Sequence, residues 1–64
     1  MTKERIKQIY LTSDRPFYEL DFELGKETAI EALKENDLDF WIDKGFIFGQ
    51  SWMDGYMSVY QAVR

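Results

Sequence analysis

The chain of 64 residues contains no cysteine and no histidine. Without cysteine it has no disulfide and no thiolate metal site, and without histidine it lacks the commonest general base and transition-metal ligand. It contains a single proline, and no apolar run approaches the length of a membrane span. A chain this short forms one domain, residues 1–64, for which we predict no metal, no cofactor and a cytoplasmic location.

Positive charge is also scarce, because eight Lys and Arg stand against twelve Asp and Glu, a formal net charge of −4. Phosphate backbones and anionic lipid repel an acidic chain. The charge therefore argues against nucleic acid and membranes, and it favours basic partners or, more simply, solubility. The partner that we predict is another protein or, by self-association, a second copy of the chain. The five Phe, four Tyr and two Trp are abundant for this length and supply large apolar areas to a small core.

No combination of residues predicts catalysis. The serines and threonines have no histidine to activate them, and no lysine stands at a spacing that would replace it. Asp37, Asp39 and Asp43 suggest a cation-binding loop. The positions at which a calcium loop needs glycine and glutamate are, however, occupied by Ile42 and Phe48. We therefore predict a protein that is not an enzyme and has no catalytic residues.

The last third of the chain predicts a β-hairpin. Asp54-Gly55 separates two runs rich in aromatic and β-branched residues, and these two residue types tolerate the positive φ angles of a two-residue turn. The loop length fixes which residues face each other across the two strands. In this register Met53, Tyr56 and Tyr60 share the face that points away from the core.

A second hairpin is predicted at the beginning of the chain. Residues 5–12 form its first strand, residues 13–16 the turn, and residues 17–24, in which polar and apolar side chains alternate, its second strand. The outer face of this hairpin carries a row of three carboxylates beside a tyrosine: Glu19, Asp21, Glu23 and Tyr10. Such a row fits a charged binding surface, and it equally fits an ordinary solvated strand, where charges discourage association between sheet edges.

Residues 26–36 predict the only helix, because apolar residues between Ala29 and Leu33 gather on one side of it. Asn36 suits the left-handed position that follows the end of a helix. The predicted fold class is therefore α+β: a small antiparallel sheet in the order β-β-α-β-β, with an optional short strand at residues 40–42 and one helix on one face.

One short helix covers one face of such a sheet and leaves the other open. We predict a small acidic, non-enzymatic protein–protein interaction domain that acts through this open aromatic and acidic face. The binding surface consists of seven residues: Tyr10, Glu19, Asp21, Glu23, Met53, Tyr56 and Tyr60. The alternative is a single-stranded nucleic-acid-binding module whose sheet aromatics stack on bases, although the acidic charge argues against it.

The strand order suggests a biological setting. Short proteins with a strand-strand-helix-strand order are widespread among phage and prophage genes. We therefore also interpret the chain as a phage or mobile-element protein that binds a host protein, or as a homodimer. Topology shared at this level does not by itself establish a function.

Overall fold

The computed structural model describes residues 3–63, with the side chain of Phe46 excepted. Within these residues the fold consists of four α-helices, and it contains no strand. The helices are α1 (Lys3–Thr12), α2 (Glu19–Lys34), α3 (Phe40–Lys44) and α4 (Gln50–Ala62), and a short 3₁₀ helix (Gly45–Phe48) joins α3 to α4. The predicted α+β class is therefore wrong, and the optional strand at residues 40–42 lies in α3.

The centre of the fold is the packing of α2 against α4. The backbone N–H of Tyr18, just before α2, donates to the hydroxyl oxygen of Ser51 at 3.0 Å, so the two helices begin side by side. The residues that α2 buries recur at intervals of three and four, which is the spacing of one helical face. They are Phe22, Gly25, Ala29 and Ala32.

The two central helices meet at their glycines. A Cβ atom on Gly25 would overlap the backbone carbonyl of Trp52, and a Cβ atom on Gly55 would overlap the backbone carbonyl of Phe22. Each glycine therefore faces the residue that stands three positions before the other glycine. Only a residue without a side chain allows two backbones to approach this closely.

This contact explains why the predicted hairpin at Asp54-Gly55 is wrong. Gly55 lies inside α4, where it is needed for close approach and not for a positive φ angle. Asp54 is also helical, and its carboxylate accepts hydrogen bonds from the Tyr10 hydroxyl at 2.7 Å and from Gln50 Nε2 at 2.9 Å. Although Asp-Gly is typical of a hairpin turn, here both residues lie in a helix, where Gly55 contacts α2 and Asp54 accepts hydrogen bonds.

The first predicted hairpin is wrong for a related reason. The apolar residues Ile6, Ile9 and Tyr10 fit helical spacing, and α1 buries Ile6 and Tyr10. In residues 17–24 the alternation of polar and apolar residues is real, but only Phe22 is buried while Leu20 and Leu24 are exposed. Most of the segment is helical, because α2 begins at Glu19. Its apolar side chains therefore do not form one buried face, as a strand would require.

The end of α2 confirms the predicted role of Asn36, which has a φ of 58°. The N–H of Asn36 donates to the carbonyl of Leu33 at 3.2 Å, and the N–H of Asp37 donates to that of Ala32 at 2.8 Å. This pair of bonds is the Schellman motif. The predicted helix therefore ends correctly, but α2 begins at Glu19 and not at residue 26.

The buried side chains form two clusters. Ile6, Tyr10 and Phe22 form the first, with Phe17 packed against it. Ala29, Trp52 and Tyr56 form the second, which α3 and the loop before it cover. The rings of Trp52 and Tyr56 stack with centroids 5.4 Å apart, and the Tyr56 hydroxyl donates to the Leu38 carbonyl. No buried side-chain N or O atom of the described residues lacks a hydrogen-bond partner.

We expect Gly25→Ala and Gly55→Ala each to destabilise the domain by about 2 kcal/mol or more, because the added methyl group forces α2 and α4 apart. Alanine would otherwise stabilise a helix by about 1 kcal/mol relative to glycine. Thermal unfolding measures the difference, with the exposed Lys7→Ala as the control for helix propensity. A higher melting temperature for either glycine variant would contradict the close contact.

Candidate functional site

The structure separates the three tyrosines and the methionine of the predicted binding surface. Tyr10 is 2% exposed and Tyr56 is fully buried, so they belong to the two core clusters. Met53 and Tyr60 are half-buried beside the second cluster, and the Tyr60 hydroxyl donates to Asp39 Oδ1 at 2.8 Å. These four side chains do not share one open face.

The functions predicted from a sheet face are wrong, because no sheet exists within residues 3–63. This applies to the protein-interaction domain acting through that face and to the nucleic-acid-binding alternative that used its aromatics. The interpretation as a phage or mobile-element protein rested on the strand order and loses its basis with it.

The predicted acidic row is divided between different sides of α2. Glu19 and Glu23 stand one helical turn apart, and Lys3 Nζ contacts Glu19 Oε1 at 3.0 Å and Glu23 Oε1 at 3.2 Å. The hydrogen bond from Lys3 lowers the pKa of Glu19, and the same contacts raise the pKa of Lys3. Asp21 lies elsewhere on the helix, in a depression next to Phe48. Lys3 thus links the first turn of α1 to Glu19 and Glu23 by ion pairs on the surface.

The Tyr10 hydroxyl is the most strongly perturbed titratable group. Burial is the main cause, and the hydrogen bond to the Asp54 carboxylate adds to it, because both disfavour the tyrosinate anion. Together they raise the pKa of Tyr10 to about 12, although the Ser51 hydroxyl acts in the opposite direction. The hydroxyl links α1 to α4 through Asp54, so we assign Tyr10 a structural role.

The surface feature that remains is a groove between α2 and the segment leading into α3, with a volume of about 350 Å³. Leu24, Ala32 and Trp41 are the apolar residues of its lining, which also includes Thr28, and we call these three the floor of the groove. Leu24 is 53% exposed, and Leu20, one turn earlier on α2, is 81% exposed and extends the apolar strip. The Trp41 ring packs against Phe40, Phe48 and Trp52, with centroids 5.1 to 5.9 Å apart, so an aromatic cluster holds it in place.

Four carboxylates also line this groove, and we call them its rim: Glu27, Glu31, Glu35 and Asp37. We call the apolar floor together with this rim the acidic groove. Within residues 3–63, Glu31 is the one rim carboxylate with an ion pair, which it makes with Lys34 at 3.5 Å on the exposed surface. Among the residues that the structure describes, the other three rim carboxylates make no salt bridge.

The rim belongs to a longer pattern, since α2 and its C-terminal cap carry a glutamate at every fourth position from Glu19 to Glu35. Residues four apart are neighbours on a helix surface, so the five side chains form one ridge. Like charges at this spacing destabilise a helix, and acidic residues near its C-terminus oppose the helix dipole. The prediction of a strand for residues 17–24 did not take this repeat into account, although its spacing matches one side of a helix.

Comparisons with protein-family models, with curated proteins and with solved structures give no match to this chain. Within residues 3–63, no group of three or more Asp or Glu side chains is placed to hold a metal ion. No helix in the same range is long and apolar enough to cross a membrane. Two further depressions have volumes of about 230 and 250 Å³, below the usual size of a ligand pocket, which is roughly 300 Å³ or more.

We expect the domain to lose stability at alkaline pH as Tyr10 ionises. An unfolded tyrosine releases its proton near pH 10, whereas folded Tyr10 releases it at about 12. The stabilisation is therefore complete below pH 10 and is lost as the pH rises from 10 to 12. Ultraviolet titration of tyrosinate should show one fewer late-titrating tyrosine in Tyr10→Phe than in the natural chain. An identical late phase in Tyr10→Phe would contradict this assignment.

We expect the double variant Glu27→Gln/Glu35→Gln to be more stable than the natural chain, by about 1 kcal/mol at low salt. It removes three repulsive pairs of neighbouring glutamates on the ridge, and one of the two carboxylates that it removes lies at the unfavourable end of α2. The gain should shrink at high salt because exposed charges are screened. Thermal unfolding measures it, with Glu4→Gln in the first turn of α1 as the control that gives no gain. A loss of stability in the double variant would show that the rim carboxylates support the fold.

Proposed function

We propose that this chain is a non-catalytic helical domain that binds another protein through the acidic groove. The observation that carries the proposal is the apolar floor left open beside the rim. Leu24 is largely exposed next to Trp41, although burial of apolar area contributes about 25 cal/mol per Å² to stability. Contiguous exposed apolar surface with a polar border is typical of interaction sites.

The shape of the groove supports a polypeptide ligand in preference to a small molecule. Pockets for small molecules enclose most of the ligand, whereas this groove is shallow and follows the axis of α2. Grooves of this kind receive one face of a helix through residues spaced three and four apart. The negative charge makes nucleic acid and anionic membranes poor partners. A cytoplasmic location stays a prediction from composition.

The proposal is tested by recovering the partner from cells that produce a tagged form of the chain. Leu24→Ser should reduce the amount of partner recovered by about tenfold or more, because truncation of a central apolar contact is costly at an interface. Leu11→Ser is the matched control, since Leu11 is 71% exposed and lies on α1, outside the groove. Quantitative mass spectrometry of the recovered proteins gives the ratio.

Both variants should melt close to the natural chain, because each side chain is mostly in contact with water. The proposal fails if Leu24→Ser recovers the same proteins in the same amounts as the natural chain. It also fails if Leu11→Ser reduces recovery as much as Leu24→Ser does, since the loss would then not depend on the groove.

A further inference from the structure

We infer that the occupant of the acidic groove is a basic amphipathic helix of a partner protein, whose apolar residues contact Leu24 and Trp41 and whose Lys or Arg residues pair with the rim. This inference rests on the proposed function and specifies the chemistry of the partner. Its basis is the charge distribution around the groove.

The charge of the chain is divided by segment. Residues 19–43 hold nine of the twelve carboxylates and two of the eight cations, which is a formal charge of −7. The other residues hold three carboxylates and six cations. The groove lies in the acidic segment, so the surface that a partner meets there is far more negative than the net charge of −4 indicates.

The ion pairs within the chain indicate which part of α2 would bind a positive charge from a partner. Lys3 already contacts the first two glutamates of the ridge, Glu19 and Glu23, and Lys26 lies 3.7 Å from Glu23. Farther along the ridge Glu31 pairs with Lys34, whereas Glu27 and Glu35, which both line the groove, make no salt bridge among the described residues. Positive charge supplied from outside would therefore bind at the groove and not along the whole of α2.

The spacing of the rim suits a helical ligand. Glutamates at every fourth position of α2 lie about 6 Å apart along the helix axis. Lys or Arg residues at every fourth position of an incoming helix have the same spacing, so several pairs can form in one register. The apolar stems of these side chains can lie over the Trp41 ring, and their charged ends can reach the carboxylates.

The rim carboxylates also have a cost that a basic partner would remove. Glu27, Glu31 and Glu35 repel one another, and Glu35 caps the negative end of the α2 dipole. The fold thus has repelling carboxylates beside an exposed apolar floor. A ligand that is both basic and apolar would neutralise the carboxylates and bury the floor. An acidic or neutral helix would bury the floor but would not neutralise the carboxylates.

The probe for the test is a synthetic helical peptide of about 18 residues, which is five turns. It contains only Leu and Lys, with Leu at positions i, i+3, i+4 and i+7 so that one face is apolar. Two matched peptides serve as controls: one has Glu in place of Lys, and one has the same Leu and Lys composition in an order without an apolar face. Calorimetry at low and high salt measures each affinity.

We expect the Leu-Lys peptide to bind and the two control peptides to bind at least about tenfold more weakly. Glu27→Gln/Glu35→Gln should weaken binding of the first peptide by about tenfold at low salt and by less at high salt, as expected for charges at the rim of an interface. Leu24→Ser should weaken it at both salt concentrations. Glu4→Gln and Leu11→Ser should leave it unchanged.

Stability and binding respond in opposite directions in this test, because Glu27→Gln/Glu35→Gln is expected to melt at a higher temperature. Weaker binding by that variant therefore cannot result from unfolding. Equal binding of the peptide without an apolar face would overturn the inference, since attraction between charges alone would then explain the affinity. Unchanged binding by the double variant would overturn it as well.

Sedimentation distinguishes a second copy of the chain as the occupant. If the natural domain is a dimer and Leu24→Ser is a monomer, the groove is filled by the same chain and the inference is wrong. If partner recovery from cells depends on Leu24 but not on Glu27 and Glu35, the inference of a basic helix is wrong and the proposed function stands. If recovery does not depend on Leu24, both the inference and the proposed function are wrong.

Discussion

The backbone contact between α2 and α4 at Gly25 and Gly55 is the constraint on which the rest of the structure depends. Because the two helices touch without intervening side chains, Phe22 and Trp52 are placed in different clusters. One cluster is completed by α1, and the other is covered by α3 and the loop before it. Glycine lowers helix stability by about 1 kcal/mol relative to alanine, so the close packing must offset this at both positions.

This contact also determines what α2 presents to the solvent. Small residues and Phe22 occupy the buried side of the helix, so the larger Leu20 and Leu24 are directed outward beside the glutamate ridge. A domain of this size buries only about 60% of the surface of its unfolded chain, so exposed leucines represent unused stabilisation. The acidic groove is therefore a direct result of how α2 is rotated against α4.

Sequence patterns predicted the parts of this fold that depend on local chemistry and not those that depend on tertiary contact. The end of α2 at Asn36 was predictable because a left-handed residue after a helix follows from local sterics. Asp54-Gly55 was misleading because its turn preference is weaker than the gain from packing α4 on α2. The alternation in residues 17–24 was equally misleading, since it fits a strand while the four-residue repeat of glutamates fits a helix.

The acidic groove shows why net charge is a weak guide to the contact surface of a small protein. A charge of −4 spread evenly over the chain would exclude anionic partners but would select no face. The sequence places most carboxylates in one segment, and helix formation then gathers five of them on one ridge beside an apolar strip. The chemistry of a partner follows only when both the segment that holds the carboxylates and their alignment on one ridge are known. The segment is visible in the sequence. The alignment depends on the secondary structure, which the glycine contact between α2 and α4 stabilises.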